Sequence, residues 1–291
     1  MRIRTNVSSL VSQRYMEKNG KDLQSSLEKL SSGYRINKSA DDAAGLAISE
    51  NLRGEVRGLN VAKRNANDAV SLVQVAEGSM NEMSNILIRL RELTVQSASD
   101  TIGEKERSYL NREYTQLVDE MDRIGNATEF NGKKIFDVNN DATEYTIQVG
   151  TRGTVPDDNT DTITINLDGL KFNTETLGLG KGAEIGATSL DDTGPSREEI
   201  AGKLGTIDNA MTRISSERAT LGSIQSRLGS TINNLGVSIE AQQATMSRIK
   251  DVDYASETSK LAQAKIMQQA STSVLAQANQ SPDLALQLLR G

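Results

Sequence analysis

Residues 196–249, SREEIAGKLGTIDNAMTRISSERATLGSIQSRLGSTINNLGVSIEAQQATMSRI, carry the longest regular pattern in the 291-residue chain. Alternating steps of four and three from Ile200 reach Leu204, Ile207, Met211, Ile214, Arg218, Leu221, Gln225, Leu228, Ile232, Leu235, Ile239, Gln242, Met246 and Ile249. Twelve of these fifteen positions are apolar, where a chain that is 36% hydrophobic would place about five by chance. The pattern predicts one continuous helix with a single narrow heptad stripe. Ser196 and Glu199 frame its start as a capping box, in which hydroxyl and carboxylate satisfy free backbone N–H groups. Some fifty residues at the helical rise make a rod roughly 75 Å long. Such a rod cannot bury its stripe on itself. Its three polar stripe positions, Arg218, Gln225 and Gln242, are candidate register or subunit-contact points.

Partners for the rod lie upstream. From Ala43 to about Ala98 a second stripe runs through Leu59, Ala66, Val73, Met80 and Leu87 at intervals of seven, with Met83 and Leu90 beside them. Lys63 and Glu77 interrupt its flanking row, as in a multi-helix seam with wet edges. Thr101 and Glu104 form another possible capping box, and Leu110, Tyr114, Leu117, Met121 and Ile124 mark a helix of about 24 residues. The short turn between these two helices predicts antiparallel neighbours.

After Ala127 the period changes. Asn131-Gly132 is a turn signal, and Tyr145–Gly150 and Thr162–Leu170 alternate as strands do. Thr151–Asp161 and Leu177–Pro195 are rich in Gly, Asp and Thr and read as loops. Gly178, Gly180, Lys181 and Gly182 superficially resemble a phosphate loop, but no glycine stands five residues before Gly180, and Gly182 sits where a Ser or Thr would bind Mg²⁺. A flexible turn is the better reading.

The two ends of the chain have weaker patterns. To about Leu30 the apolar positions are Met16, Leu23 and Leu30, spaced by sevens, with Leu27 one turn before Leu30. Helices this polar bury too little to offset their ordering entropy unless a partner supplies the rest, so disorder is expected here in an isolated chain. Ser31 to Lys38 reads as a connector, and Asp41 and Asp42 read as helix caps in preference to an acid–base or metal pair, since no His or second carboxylate cluster supports chemistry. Lys250–Tyr254 breaks the long stripe. Leu261, Ala264, Met267, Val274 and Ala278 resume it, Pro282 interrupts, and Leu284, Leu288 and Leu289 close the chain. Gln263, Gln268, Gln269, Ser271 and Thr272 leave this surface polar yet uncharged, suited to a crowded assembly.

Composition narrows the function. Aromatics are 3%, and Trp, Cys and His are absent. That excludes zincin motifs, thiolate metal sites and His-dependent Ser or Cys catalysis, and no cofactor is implied. No apolar run of about 18 residues is present, so no membrane span is expected. Met1 to Gly20 lacks the apolar stretch of a secretory signal, so an exported chain needs another route. Residues 1–42 carry eight basic and five acidic side chains, whereas 137–199 carry four and thirteen. An acidic, solvated middle argues against nucleic acid as a partner.

The stretch Leu30-Ser-Ser-Gly-Tyr-Arg-Ile-Asn-Lys-Ser-Ala-Asp-Asp-Ala-Ala-Gly-Leu-Ala-Ile48 resembles the N-terminal signature of bacterial flagellins. So do Arg64-Asn-Ala-Asn-Asp-Ala69, Ala76-Glu-Gly78, Arg91-Glu-Leu-Thr-Val-Gln-Ser97, Glu129-Phe-Asn-Gly132 and Ala276-Gln-Ala-Asn279. The likeness covers about 1–136 and 196–291, without the family's large outer domains. It implies a mainly α fold of long antiparallel helices in a coiled-coil bundle with a small β/loop insertion at about 130–195. It also implies paired N- and C-terminal helices. In the family's terms, 1–42 with 250–291 would form the terminal coiled-coil domain (D0) and 43–249 the surrounding helical domain (D1).

The function implied is that of a structural subunit that self-assembles into the helical flagellar filament for swimming, secreted unfolded through a flagellar type III system to the cell exterior. A hook–filament junction protein of the same architecture is the alternative. Implied partners are further copies of the chain, an export chaperone at the C-terminal helix, the filament cap and hook-associated proteins. Leu23, Leu27, Leu30, Leu261, Met267, Val274, Leu284 and Leu288 are the candidate subunit-packing residues. Family members that activate Toll-like receptor 5 use an Arg, a Leu and a Glu whose matching positions are Arg89, Leu93 and Glu113.

Overall fold

The computed structural model describes residues 5–136, 144–152, 159–167, 174–180, 184–186 and 195–290, with side chains as far as Gln280. The chain order is α1 (Val7–Ser32), α2 (Ala43–Ser97), α3 (Glu104–Ala127), β1 (Glu129–Phe130), β2 (Lys133–Lys134), β3 (Glu144–Gln148), β4 (Thr162–Asn166), α4 (Arg197–Lys250) and α5 (Tyr254–Arg290). The fold is mainly α, as expected. Two compact units divide it, one made of Gly58–Ser238 and the other of Met1–Arg57 with Ile239–Gly291, so that α2 and α4 each contribute residues to both.

The Gly58–Ser238 unit is built on the heptad stripes. Ile200, Ile207, Ile214, Leu221 and Leu228 of α4 are fully buried, as are Val73, Met80, Met83, Leu87 and Leu90 of α2. The second row of the α4 stripe, Leu204, Met211 and Ile232, is only half-buried, so one row forms the dry centre and the other its edge. α3 adds Tyr114 and Met121. The Tyr114 hydroxyl is buried without a hydrogen-bond partner among the described residues, and burial pushes its pKa up to about 12, so the ring serves as an apolar core group. α3 lies antiparallel to α2, tied by Arg89 to Glu113 (2.6 Å) at one end and Thr128 Oγ1 to Ser79 Oγ (3.0 Å) at the other. Arg91 bonds Asp208 at 2.8 Å between α2 and α4.

The caps divide into those the sequence marked and one it did not. Ser196 and Glu199 form the capping box, with Ser196 N–H donating to Glu199 Oε2 (2.8 Å) and Glu199 N–H to Ser196 Oγ (3.3 Å). Asp42 accepts from Gly45 N–H at 2.8 Å, as an N-cap of α2 does. Asp41 instead accepts the N–H groups of Asn37 and Lys38, both at 3.0 Å, and braces the connector. The expected cap at Thr101 is not formed. Gly103 is the N-cap of α3 and makes no side-chain cap bond, because the helix starts at Glu104 and leaves the Thr101 hydroxyl out of reach, bonded to Ser99 Oγ at 2.7 Å.

The β elements are two antiparallel hairpins. Asn131 (φ 51°) and Gly132 (φ 74°) form the two-residue turn between β1 and β2, the positive dihedrals that an Asn-Gly hairpin turn requires. β3 and β4 pair from Glu144↔Asn166 to Gln148↔Thr162, and Ile163 and Ile165 enter the core. The segment read as a flexible loop is anchored where it is described. Gly178 turns with φ 72°, yet Leu177, Leu179 and Ile185 are core residues. Asp122 accepts both the N–H (2.8 Å) and the hydroxyl (2.7 Å) of Thr174, while Asn111 and Ser97 bind the N–H and C=O of Ile185 at 2.9 and 2.6 Å. Single apolar residues among glycines hid this from a periodicity reading. Lys181 and Gly182 lie outside the described residues.

In the other unit α1 packs against α5, so the chain's two ends form the expected helix pair. Gly33, at φ 77°, ends α1 with the left-handed conformation that a residue without Cβ adopts freely. The connectors that follow α1 and α4 then pair: Tyr34 bridges Asp251, Arg35 N–H reaches Lys250 O at 2.7 Å, and Val252 N–H returns to Gly33 O at 3.0 Å. Arg35 Nη2 also donates to Ile249 O at 2.7 Å. The connector after α1 thereby caps α4, and the connector after α4 is tied to the residue that ends α1. The Lys250 ammonium stands 4.8 Å from the Tyr34 ring centroid and 3.5 Å from Glu50 Oε1. One expectation fails at the C-terminal end, since α5 continues through Pro282 to Arg290. A proline removes only its own donor and strains one turn, which a helix of 37 residues absorbs.

Candidate assembly surface

The inner face of α1 is set by the same four-three rhythm as α4, but with different residues. Ser9, Ser12, Met16, Asn19, Leu23, Ser26 and Leu30 are its buried or half-buried positions. On α5 the matching row is Glu257, Leu261, Ala264, Gln268, Ser271, Leu275 and Ala278. Hydrogen bonds cross the seam along its length. Asn6 Nδ2 donates to Ala278 O (2.8 Å), and Ser9 Oγ to Asn279 Oδ1 (2.7 Å). Asn19 Nδ2 donates to Ser271 Oγ (2.7 Å) and Met267 O (3.3 Å), and Ser26 Oγ to Glu257 Oε1 (2.8 Å).

Glu257 is the buried charge of this seam, at 5% exposure. Burial raises its pKa, but the Ser26 hydroxyl, the Lys260 ammonium at 3.2 Å and the charge of Lys29 together hold the carboxyl below its ordinary range. A carboxylate is therefore kept ionised between two helices by donors from both. Apolar spacing alone does not disclose this set. The heptad interval from Ser12 to Asn19 to Ser26 is the signal that would have found it.

Several apolar side chains of these helices face outward. Val7, Leu10, Tyr15, Ile266 and Val274 are more than half exposed. The candidate packing residues divide accordingly. Leu23, Leu30 and Leu261 are half-buried in the seam, whereas Leu27, Met267 and Val274 lie on its exposed outside. The apolar row of α5 is thus shifted, with Gln268 and Leu275 turned inward where Met267 and Val274 are turned out. Leu284 and Leu288 belong to the part of α5 whose side chains are not described. The three polar stripe positions of α4 are all half-buried, and Gln242 Oε1 is buried with no hydrogen-bond partner among the described residues.

A second candidate site lies where α2 faces α3. Arg89 donates Nε (2.8 Å) and Nη2 (2.6 Å) to Glu113 Oε1, and Nη1 to Glu92 (3.0 Å). The Glu113 bond, then that of Glu92, raises the guanidinium's pKa further above its ordinary value. Both partners stay about half exposed. Leu93, one turn on, is fully buried in the core and offers no surface. Among the described residues there is no group of three or more His, Cys, Asp or Glu able to hold a metal ion, and no helix long and apolar enough to cross a membrane.

A helical chain whose ends pair through a seam of polar bonds and leave further apolar side chains outside has the design of a structural subunit. The model of the bacterial flagellin N-terminal helical region matches residues 3–141, and that of the C-terminal helical region matches 204–289. The chain belongs to the bacterial flagellin family, and it is a structural subunit of the flagellar filament. It is 39% identical over 310 residues to a flagellin of Bacillus subtilis (strain 168), and 41% identical over 290 residues to a flagellin of Halalkalibacterium halodurans, each comparison covering 100% of both chains. The structure of a putative flagellar hook-associated protein from Vibrio parahaemolyticus superposes with a TM-score of 0.57 at 15% identity, over 72% of this chain and 100% of that one. That likeness is one of fold, and the full-length matches favour flagellin.

Proposed function

We propose that copies of this chain polymerise through the outward apolar face of α1 and α5. Segments 1–42 and 250–291 then form the inner coiled-coil layer (D0), and 43–249 the tube around it (D1). The observation that supports this reading is the inverted burial of the terminal helices, with serines and asparagines inside and Val7, Leu10, Ile266 and Val274 outside. A pair held together by polar contacts gains little from closing alone, while neighbours that cover its outer face add the missing apolar burial. The terminal helices are therefore unordered in the isolated chain and ordered in the filament. Such an end passes easily through a narrow export channel, which fits secretion to the cell exterior by a type III route. Its exposed C-terminal helix suits an export chaperone, and the growing filament meets cap and hook-associated proteins.

Limited proteolysis tests the reading. Isolated chains should lose roughly the first and last forty residues, and assembled filaments, checked by electron microscopy, should keep them. Equal resistance of both samples contradicts folding on assembly.

The chain's role is mechanical, with neither an enzymatic reaction nor a cofactor. The absence of His and Cys supports this. Engagement of Toll-like receptor 5 is carried by Arg89 and Glu113, with Leu93 setting the position of α2 from beneath. A receptor reporter assay should lose signal on Arg89→Ala and on Glu113→Ala, and an unchanged response to both removes the assignment.

A further inference from the structure

The sequence holds two Asn-Gly dipeptides, Asn19-Gly20 and Asn131-Gly132. This pair of residues is chemically labile, because a glycine has no Cβ to shield its peptide nitrogen from the preceding side-chain carbonyl. The second dipeptide forms the exposed turn between β1 and β2. The first lies in the middle of α1, where the helical ladder engages the Gly20 N–H, and where both hydrogen bonds of the Asn19 amide reach across to α5. Ser271 Oγ itself donates to Met267 O at 2.7 Å, so Asn19, Ser271 and the Met267 carbonyl close one small ring in which only Asn19 brings donors from α1.

We propose that Asn19-Gly20 is a self-modification site gated by the pairing of α1 with α5, a chemical timer on the chain's capacity to pair. While the pair is closed, the Gly20 nitrogen is held in the helix and the Asn19 amide is tied to α5. When α1 opens, the Gly20 peptide nitrogen attacks Asn19 Cγ. The new N–Cγ bond forms as the Cγ–Nδ2 bond breaks, and Nδ2 leaves as ammonia with the peptide proton. Water then opens the succinimide at either carbonyl to give an aspartyl or isoaspartyl residue, with no change of oxidation state. The carboxylate so formed has no donor for the Met267 carbonyl and turns two acceptors toward each other. The isoaspartyl product also adds a methylene to the main chain within a helix. A chain that lingers open loses its ability to close.

Peptide mapping by mass spectrometry, read alongside hydrogen exchange of the α1 amides in the same sample, tests the inference on the full chain at mildly alkaline pH. The rate of the one-dalton gain at Asn19, relative to the chain in guanidinium, should fall by the same factor as α1 exchange, at least ~tenfold wherever α1 is protected. This holds for isolated chains and filaments alike, so it stands or falls separately from the assembly reading, and Asn131 acts as an internal clock. Conversion of Asn19 at the denatured rate while α1 amides are protected, or no conversion while they exchange freely, overturns the gating. Gly20→Ala meets no atom within 4 Å and should keep the pair while suppressing the modification. Continued conversion in that variant overturns the chemistry. In filaments, where α1 is paired, Asn19→Asp should speed α1 exchange by at least ~tenfold, and an unchanged rate overturns the consequence for pairing.

Discussion

The α2–α3–α4 core and the α1·α5 pair use one heptad rhythm filled in opposite ways. In the first, every seventh residue of α4 from Ile200 to Leu228 is a fully buried aliphatic. In the second, the corresponding inner positions include Ser9, Ser12, Asn19 and Ser26 against Glu257 and Ser271 beside half-buried leucines, while Val7, Leu10, Ile266 and Val274 are outside. Spacing alone therefore decides that a helix will have an inner face, while the residues on that face decide whether it can stand without help. The dry seam draws on apolar burial within one chain. The wet seam sets register through directional bonds and leaves its apolar burial to be completed by neighbours.

The contrast can be broken most severely in the dry seam. Ile214→Ala removes buried methyl groups from a fully enclosed site and should cost about 2–5 kcal/mol in the thermal unfolding of the Gly58–Ser238 unit, with α1 exchange unaltered. In the wet seam, Ser26→Ala strips one donor from a buried carboxylate and should weaken the α1·α5 pair by about 1–3 kcal/mol, measured by hydrogen exchange of α1 in filaments. Unaltered α1 exchange in Ser26→Ala would erase the distinction drawn between the seams.

Acid offers a gentler probe of the same carboxylate. The folded pKa of Glu257 is lowered from an unfolded value of about 4.3, so its stabilising contribution is complete above that value. It is lost as the pH falls through the depressed folded pKa. Hydrogen exchange of α1 in filaments should therefore accelerate on acidification below about pH 4.3, and Glu257→Gln should flatten that part of the profile; an unaltered profile in the variant shows that another group titrates. The smallest effect is expected at the exposed Arg89–Glu113 pair. A double-mutant cycle should return a coupling near the error of a melting experiment and diminishing with salt, because both groups remain solvated.

The long helices were legible because a repeat sustained over many turns outweighs any single residue, as from Ile200 to Ile249. The Asn131-Gly132 hairpin was legible because few residue pairs accept two positive φ angles. Less was legible where burial rests on polar residues or isolated ones. Ile185, held by Asn111 and Ser97, stands alone among Gly, Ala and Glu and has no period to betray it. Leu93 matched a family contact position by sequence, but its place on the core side of α2 depends on the pitch of the helix rather than on the local motif. The wet seam was missed for a related reason, since Ser and Asn at heptad positions are indistinguishable in composition from a solvated face.

The cross-seam bond between Asn6 and Ala278 joins residues 272 apart in sequence. Closing so long a loop from a disordered chain costs about 5 kcal/mol in chain entropy, more than a few polar contacts repay. The Gly58–Ser238 unit removes most of that cost, because within it α2 and α4 already run side by side, with the Lys63 ammonium beside Gly236. The chain that remains to be closed on either side is then far shorter. This makes the pair the last element to fold and the first to fray, a sequence of events set by topology before any neighbour arrives.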